Sequence, residues 1–171
     1  MEIPVYLRRR TVMAFGPNIT LKEGDQAPAF SAPSNGSGRV ALKDFKGKSV
    51  ILYFYPKDNT PGCNKEACAF RDANQKIERK NAIVLGVSVD SVKSHDKFVE
   101  KFDLPFVLVS DEAKEIVTAY GVWGRKKFMG REFDGTHRVT FLIDPAGRIK
   151  KIWPKVKIDL HAEEVLAALN G

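Results

Sequence analysis

A chain of 171 residues is long enough for one domain with a sizeable core, and 43% hydrophobic with 29% charged residues is a globular composition that excludes disordered and fibrous classes. Its longest apolar run, residues 50–55, is far too short to span a membrane, so no membrane association is expected. The formal charge of +7 is spread along the chain, with only small clusters at residues 8–10, 125–127 and 150–151, which reads as a solvated surface and not as a nucleic-acid footprint.

Residues 1–18 hold three consecutive arginines and one acid, and they lack the hydrophobic stretch of a secretory signal. They read as a mobile arm, with Met13 as an alternative start and organellar targeting as a weaker alternative to a cytoplasmic location. A single domain over residues 19–171 follows. Residues 24–30 form a short extended piece and residues 34–38 a turn cluster. A short strand is predicted at 40–42 and a tight turn at 46–48. Residues 50–55, Val-Ile-Leu-Tyr-Phe-Tyr, suit a central strand buried on both faces. Ala67, Phe70, Ala73 and Ile77 share one side of a helix over residues 61–79. A second buried strand is predicted at 83–89, a helix at 92–102 and a third strand at 106–109. A short helix at 113–120 ends at Gly121. Strands at 138–143 and 148–153 flank the hairpin turn Asp144-Pro145-Ala146-Gly147, and Asp159 caps a last helix reaching Asn170. This alternation predicts an α/β fold with a central mixed β-sheet and helices on both faces.

Both cysteines, Cys63 and Cys68, lie just after the apolar strand. Two cysteines make no disulfide framework, and with scattered His95, His137 and His161 they do not supply four zinc ligands. No metal or other cofactor is expected, and a reducing compartment suits the pair. Thr60 is a good N-cap and Pro61 suits the first helical position, which places Cys63 third in the helix. Its sulfur would face the free N–H groups and positive dipole end of that helix, which favour the reactive thiolate. Strand-to-helix junctions are also where parallel α/β sheets build their sites. Cys68, beside Ala67, Ala69 and Phe70, reads by itself as a small buried hydrophobe. Lys57, Asp58, Lys65 and Glu66 read as solvated charges, with Glu66 in reach of Arg71. Trp123 and Phe128 read as packing or lid residues. Strand alternation sends His137 to the opposite face from Arg138.

Pro56, Thr60 and Cys63 fit the Pro-x-x-x-Thr-x-x-Cys signature of peroxiredoxins. Over residues 53–72 the chain resembles the bacterioferritin comigratory protein, or peroxiredoxin Q, subfamily. The segments around Gly24-Asp25, Tyr120-Gly121-Val122-Trp123-Gly124 and Arg138-Val139-Thr140 extend the likeness to residues 20–170. The resemblance implies a thioredoxin-like fold and thiol-dependent reduction of hydrogen peroxide and organic hydroperoxides, with thioredoxin or a glutaredoxin-like dithiol as reductant. It implies that Cys63 is the peroxidatic cysteine, that Thr60 and Arg138 bond the thiolate and peroxide, that Pro56 shields the pocket, and that Cys68 is the resolving cysteine. Without that motif, Arg138 would read as a surface strand residue. On an intact helix, residues five apart rise about 7.5 Å and their Cα atoms are roughly 8.7 Å apart, beyond the disulfide limit of about 7 Å. A Cys63–Cys68 bond therefore requires the first helical turn to unwind. Because both cysteines are in one chain, a monomer is the expected unit. Three rivals remain: a thioredoxin-like electron carrier, which would need a Cys-x-x-Cys pair; a single-cysteine peroxidase with a structural Cys68; and a basic binding or holdase protein.

Overall fold

The computed structural model describes residues 14–171. Its strands are β1 (Ser31–Ser34), β2 (Gly38–Ala41), β3 (Ser49–Phe54), β4 (Ala82–Ser88), β5 (Val107–Ser110), β6 (Trp123–Phe128), β7 (Arg131–Thr136), β8 (Val139–Ile143) and β9 (Ile149–Trp153). The helices are α1 (Pro61–Glu78), α2 (Val92–Phe102), α3 (Glu115–Ala119) and α4 (Ile158–Leu169).

The apolar run explains the centre of the sheet. None of residues 50–55 is more than 2% exposed, because β3 is paired with parallel β4 on one side and antiparallel β8 on the other. Seven strands lie in the order β2-β1-β5-β4-β3-β8-β9, with β3, β4 and β5 mutually parallel and the outer strands antiparallel. Side chains alternate along β3. Val50, Leu52 and Phe54 enter one core with Val117, Tyr120 and Phe141, whereas Ile51, Tyr53 and Tyr55 enter the other with Phe70, Phe98 and Val165. Helices α1, α2 and α4 thus cover one face and α3 packs on the other, the mixed α/β layering that the sequence predicts. No helix among the described residues is long and apolar enough to cross a membrane.

Strand β1 falls where the sequence reading assigns no strand, and three further details differ. Asp159 does not cap α4: Lys157 occupies the cap position, and Asp159 lies in the first turn, 2.9 Å from Lys65. The segment 123–136, to which the sequence reading assigns no element, is the β6–β7 hairpin, closed by Met129 and Gly130 at φ 49° and 78°. Two positive φ values in a two-residue turn match the right-handed twist of the strands. Residues 14–18, counted with the arm, run beside this hairpin: Gly16 N–H donates to Arg125 O at 3.0 Å and Asn18 N–H to Gly121 O at 2.8 Å. The expected boundary at residue 18 therefore falls inside a bonded segment, and residues 1–13 lie outside the described ones.

Candidate active site

The chain leaves β3 at Tyr55, passes Pro56 to Thr60 and enters α1. Thr60 is extended at the cap position, with φ −114° and ψ 153°, and Pro61 is the first helical residue. The expected hydroxyl cap is not made. Asn59 adopts a left-handed φ of 54°, folding the loop so that Thr60 Oγ1 donates to Lys57 O at 2.9 Å instead. Cys63 is the third residue of α1 and is buried, Cys68 is half-buried on the same unbroken helix, and both thiols are free.

Arg138 reaches across from the residue before β8. Its Nη2 donates to Cys63 Sγ at 3.2 Å and its Nη1 to Glu66 Oε1 at 2.8 Å. Glu66 is 1% exposed, so it is neither solvated nor paired with Arg71, as its sequence position suggested. It lies on the inward stripe of α1 with Phe70, whereas Arg71 turns outward to Asp72 and Phe102 O. Burial pushes the Glu66 carboxyl up to about 7, against the opposing pull of Arg138. One guanidinium thus faces two acidic groups, and a neutral Glu66 leaves its charge to the sulfur. Gly62 makes the close approach possible: a Cβ there would lie 3.3 Å from both Arg138 Nη2 and Ile158 Cδ1.

A second buried network holds the loop. Asp58, 6% exposed and also not solvated, accepts from Tyr55 Oη at 2.6 Å and Ser94 Oγ at 2.8 Å. His95 Nδ1 lies 2.7 Å from Asp58 Oδ2, the oxygen that also accepts from Ser94, and His95 Nε2 donates to Val109 O at 3.0 Å. The Asp58 N–H donates to Asp90 Oδ2 at 2.9 Å. These bonds tie the loop carrying Pro56 and Thr60 to α2 and β5. The ligand-type atoms of Asp58, Asp90 and His95 come within 4.8 Å of one another, but the network already engages them.

His137 also departs from expectation. Residues 137 and 138 form the link between β7 and β8, so strand alternation does not separate them, and both line one groove. Deeper in, His161 sits edge-on to Phe70 and Trp153 with Nε2 2.8 Å from Thr140 Oγ1. Burial lowers its pKa to about 4. The folded state therefore disfavours its protonation, and the stability it contributes above the unfolded value near 6.5 is lost as pH falls towards 4. Glu66 acts with the opposite sign: folded protein keeps its proton up to about 7, so stability rises as pH falls from 7 towards the usual carboxylate value. We expect Glu66→Gln to expose the His161 slope. The unfolding free energy of that variant, from urea titrations, should fall more steeply than that of wild type between about pH 6.5 and 4.5, by about 2 kcal/mol over the interval. Parallel profiles would refute this opposition.

A buried thiol at a strand-to-helix junction, in contact with an arginine within a mixed α/β sheet, defines a thiol-redox site. The AhpC/TSA family matches residues 23–152, and the chain belongs to that family. It is 47% identical over 151 residues to the putative peroxiredoxin bcp of Coxiella burnetii, covering 88% of this chain and 100% of that protein. It is 45% identical to peroxiredoxin Bcp of Bacillus subtilis, covering 89% and 97%. Among solved structures, peroxiredoxin Q of Xanthomonas campestris superposes with a TM-score of 0.78 at 40% identity, over 82% of this chain and 89% of that one. A PrxQ mutant from Xylella fastidiosa gives 0.83 at 40% identity, over 91% and 98%. The fold is thus thioredoxin-like, and the protein is a thiol peroxidase of the Bcp and Q type.

Proposed function

We propose that the protein reduces hydrogen peroxide and organic hydroperoxides through Cys63, with Cys68 as the resolving thiol and thioredoxin or a similar dithiol as reductant. The observation that carries this reading is the 3.2 Å contact from Arg138 Nη2 to the buried Cys63 sulfur. The Cys63 thiolate attacks one peroxide oxygen, the O–O bond breaks, and the departing hydroxide or alkoxide takes a proton as Cys63 becomes a sulfenic acid. Full ionisation of an ordinary thiol gains roughly thirty-fold at most, and nucleophilicity falls with pKa. The larger share must come from donors oriented on the splitting bond. Arg138 and the start of α1 supply them. The Thr60 hydroxyl gives its proton to Lys57 O and so is left as an acceptor for a peroxide O–H. Half-buried Pro56 limits water. A Xanthomonas campestris bacterioferritin comigratory protein, 39% identical, is described by its alkyl peroxide reduction activity, which favours including organic substrates.

Cys68 then attacks the Cys63 sulfenic sulfur, a disulfide forms and water leaves. An external dithiol reduces that disulfide by exchange. Both cysteines lie on one unbroken helix, so the first turn of α1 unwinds for this step. A single chain suffices for the cycle.

The test is stopped-flow tryptophan fluorescence of the reduced protein against hydrogen peroxide. Wild type should give a fast peroxide-dependent phase that Cys63→Ser abolishes. Cys68→Ser should keep the first phase and accumulate sulfenic acid, and amide exchange over residues 61–71 should rise only in oxidised wild type. A disulfide in wild type with unchanged exchange would remove the unwinding step. Loss of free thiols no faster than in a simple thiol would remove the peroxidase reading.

A further inference from the structure

An open groove of about 620 Å³ runs from Arg138 between two stretches of chain distant in sequence. One wall is the end of β9, Ile152 and Trp153, with the loop after it, Pro154, Lys155 and Val156, and the other is Gly16 and Pro17. Hydrogen peroxide, close to water in size, needs a small fraction of this space, since a water's share of liquid volume is about 30 Å³. Mostly apolar walls with few polar groups are the character of sites for organic ligands. The guanidinium that touches Cys63 belongs to a residue of this groove, so the groove and the thiol share Arg138.

The segment 15–18, which carries this wall, is seated on the body of the domain. Gly16 and Asn18 donate to Arg125 O and Gly121 O, and Phe15 bridges Arg125 in parallel register. The seat depends on two glycines: a Cβ on Gly124 would lie 2.3 Å from Gly16 O, and one on Gly121 2.3 Å from Asn18 O. This segment precedes residue 23, where the family match begins.

We propose that residues 15–18 are a specificity wall that favours hydroperoxides bearing an apolar alkyl or aryl group over hydrogen peroxide. The inference rests on Cys63 being the peroxidatic residue. An organic hydroperoxide places its O–O group at Cys63 and Arg138 and its apolar part between Pro17 and the loop after β9. Hydrogen peroxide has no such part and gains nothing from the wall.

The experiment compares kcat/KM for cumene hydroperoxide and hydrogen peroxide in the full-length protein. Gly124→Ala drives a Cβ into Gly16 O and unseats the wall, while Gly124 itself lies outside the groove and has no positive φ. Its hydrogen peroxide rate should stay within about twofold, and the ratio of cumene hydroperoxide to hydrogen peroxide should fall about tenfold, the scale of losing a modest apolar contact. Val156→Ser, on the facing wall, should lower the same ratio without depending on how Gly124→Ala repacks. An unchanged ratio in both variants, or an equal loss for the two substrates, would overturn the proposal. Wild type inactive with either peroxide would instead overturn the assignment of Cys63, and the proposal with it.

Discussion

Arg138→Met should slow the reaction of Cys63 with hydrogen peroxide by about 10²–10³-fold, the usual cost of removing one preorganised donor from a developing charge. Methionine keeps much of the length and apolar volume but none of the donors. The sulfur loses its 3.2 Å partner, and Glu66, 2.8 Å from the other nitrogen, loses its Arg138 counter-charge. Glu66 is already pushed up to about 7 by burial, and Arg138 is what holds it back, so in the variant it rises further. The variant should therefore be most destabilised above pH 7, where folding must hold an uncompensated carboxylate, and should recover stability as pH falls and Glu66 takes a proton. The double variant Arg138→Met, Glu66→Gln separates the two roles. It should regain most of the lost stability at pH 8 in urea unfolding, yet remain as slow as the single variant in stopped flow. Recovery of rate together with stability would mean that Arg138 acts by supporting the fold and not by contacting the reacting sulfur.

The sequence exposes the local part of this arrangement and hides the long-range part. The buried run ending at Tyr55, Pro61 at the helix start and the apolar stripe of α1 are short-range patterns, and they place Cys63 at its junction. The stripe also held an unused signal. Phe70, Ala73 and Ile77, extended back one turn, land on Glu66, so a charge occupies an inward position and requires a partner. Helical spacing says that Glu66 is inside, but it cannot say that the partner is 72 residues away. Arg71 was nearer in sequence and on the wrong side of the helix. Asp58 and His95, 37 residues apart, are hidden for the same reason. The β6–β7 hairpin escaped because its strands are rich in charged residues of both signs, without apolar alternation, and its turn is Met-Gly instead of the Asn-Gly or Asp-Gly pair that marks such turns. Gly121 is legible as a helix stop and both Gly121 and Gly124 as parts of a motif, but not as a seat for another segment. Their reason, the backbone of residues 16–18 lying against them, exists only in the folded chain.

Asp58→Ala should be the most destabilising change outside the central sheet, at about 3–5 kcal/mol, as expected when one partner is removed from a buried polar pair. Its carboxylate gathers Tyr55 Oη, Ser94 Oγ and His95 Nδ1 within 2.6–2.8 Å, and His95 is fully buried. Alanine leaves these groups without that acceptor, and no reorientation of His95 is free, because Nε2 is already committed to Val109 O. At this chain length the loss corresponds to a midpoint lower by roughly 10 °C in thermal unfolding. Tyr55→Phe is the control: it removes one donor and leaves Asp58 its bonds from Ser94 and His95, so it should cost only about 1 kcal/mol. The two chemical steps should respond in opposite directions. Oxidation of Cys63 should slow, because Pro56 and Thr60 lose the anchor that positions them. In the proposed cycle disulfide formation should quicken, because the loop that anchors the first turn of α1, which unwinds for that step, is held less firmly. Stopped-flow traces resolve both phases in one sample. Equal slowing of both would mean that Asp58 merely stabilises the domain, whereas opposite changes would identify the Asp58–His95 pair as the fixed point about which the start of α1 opens.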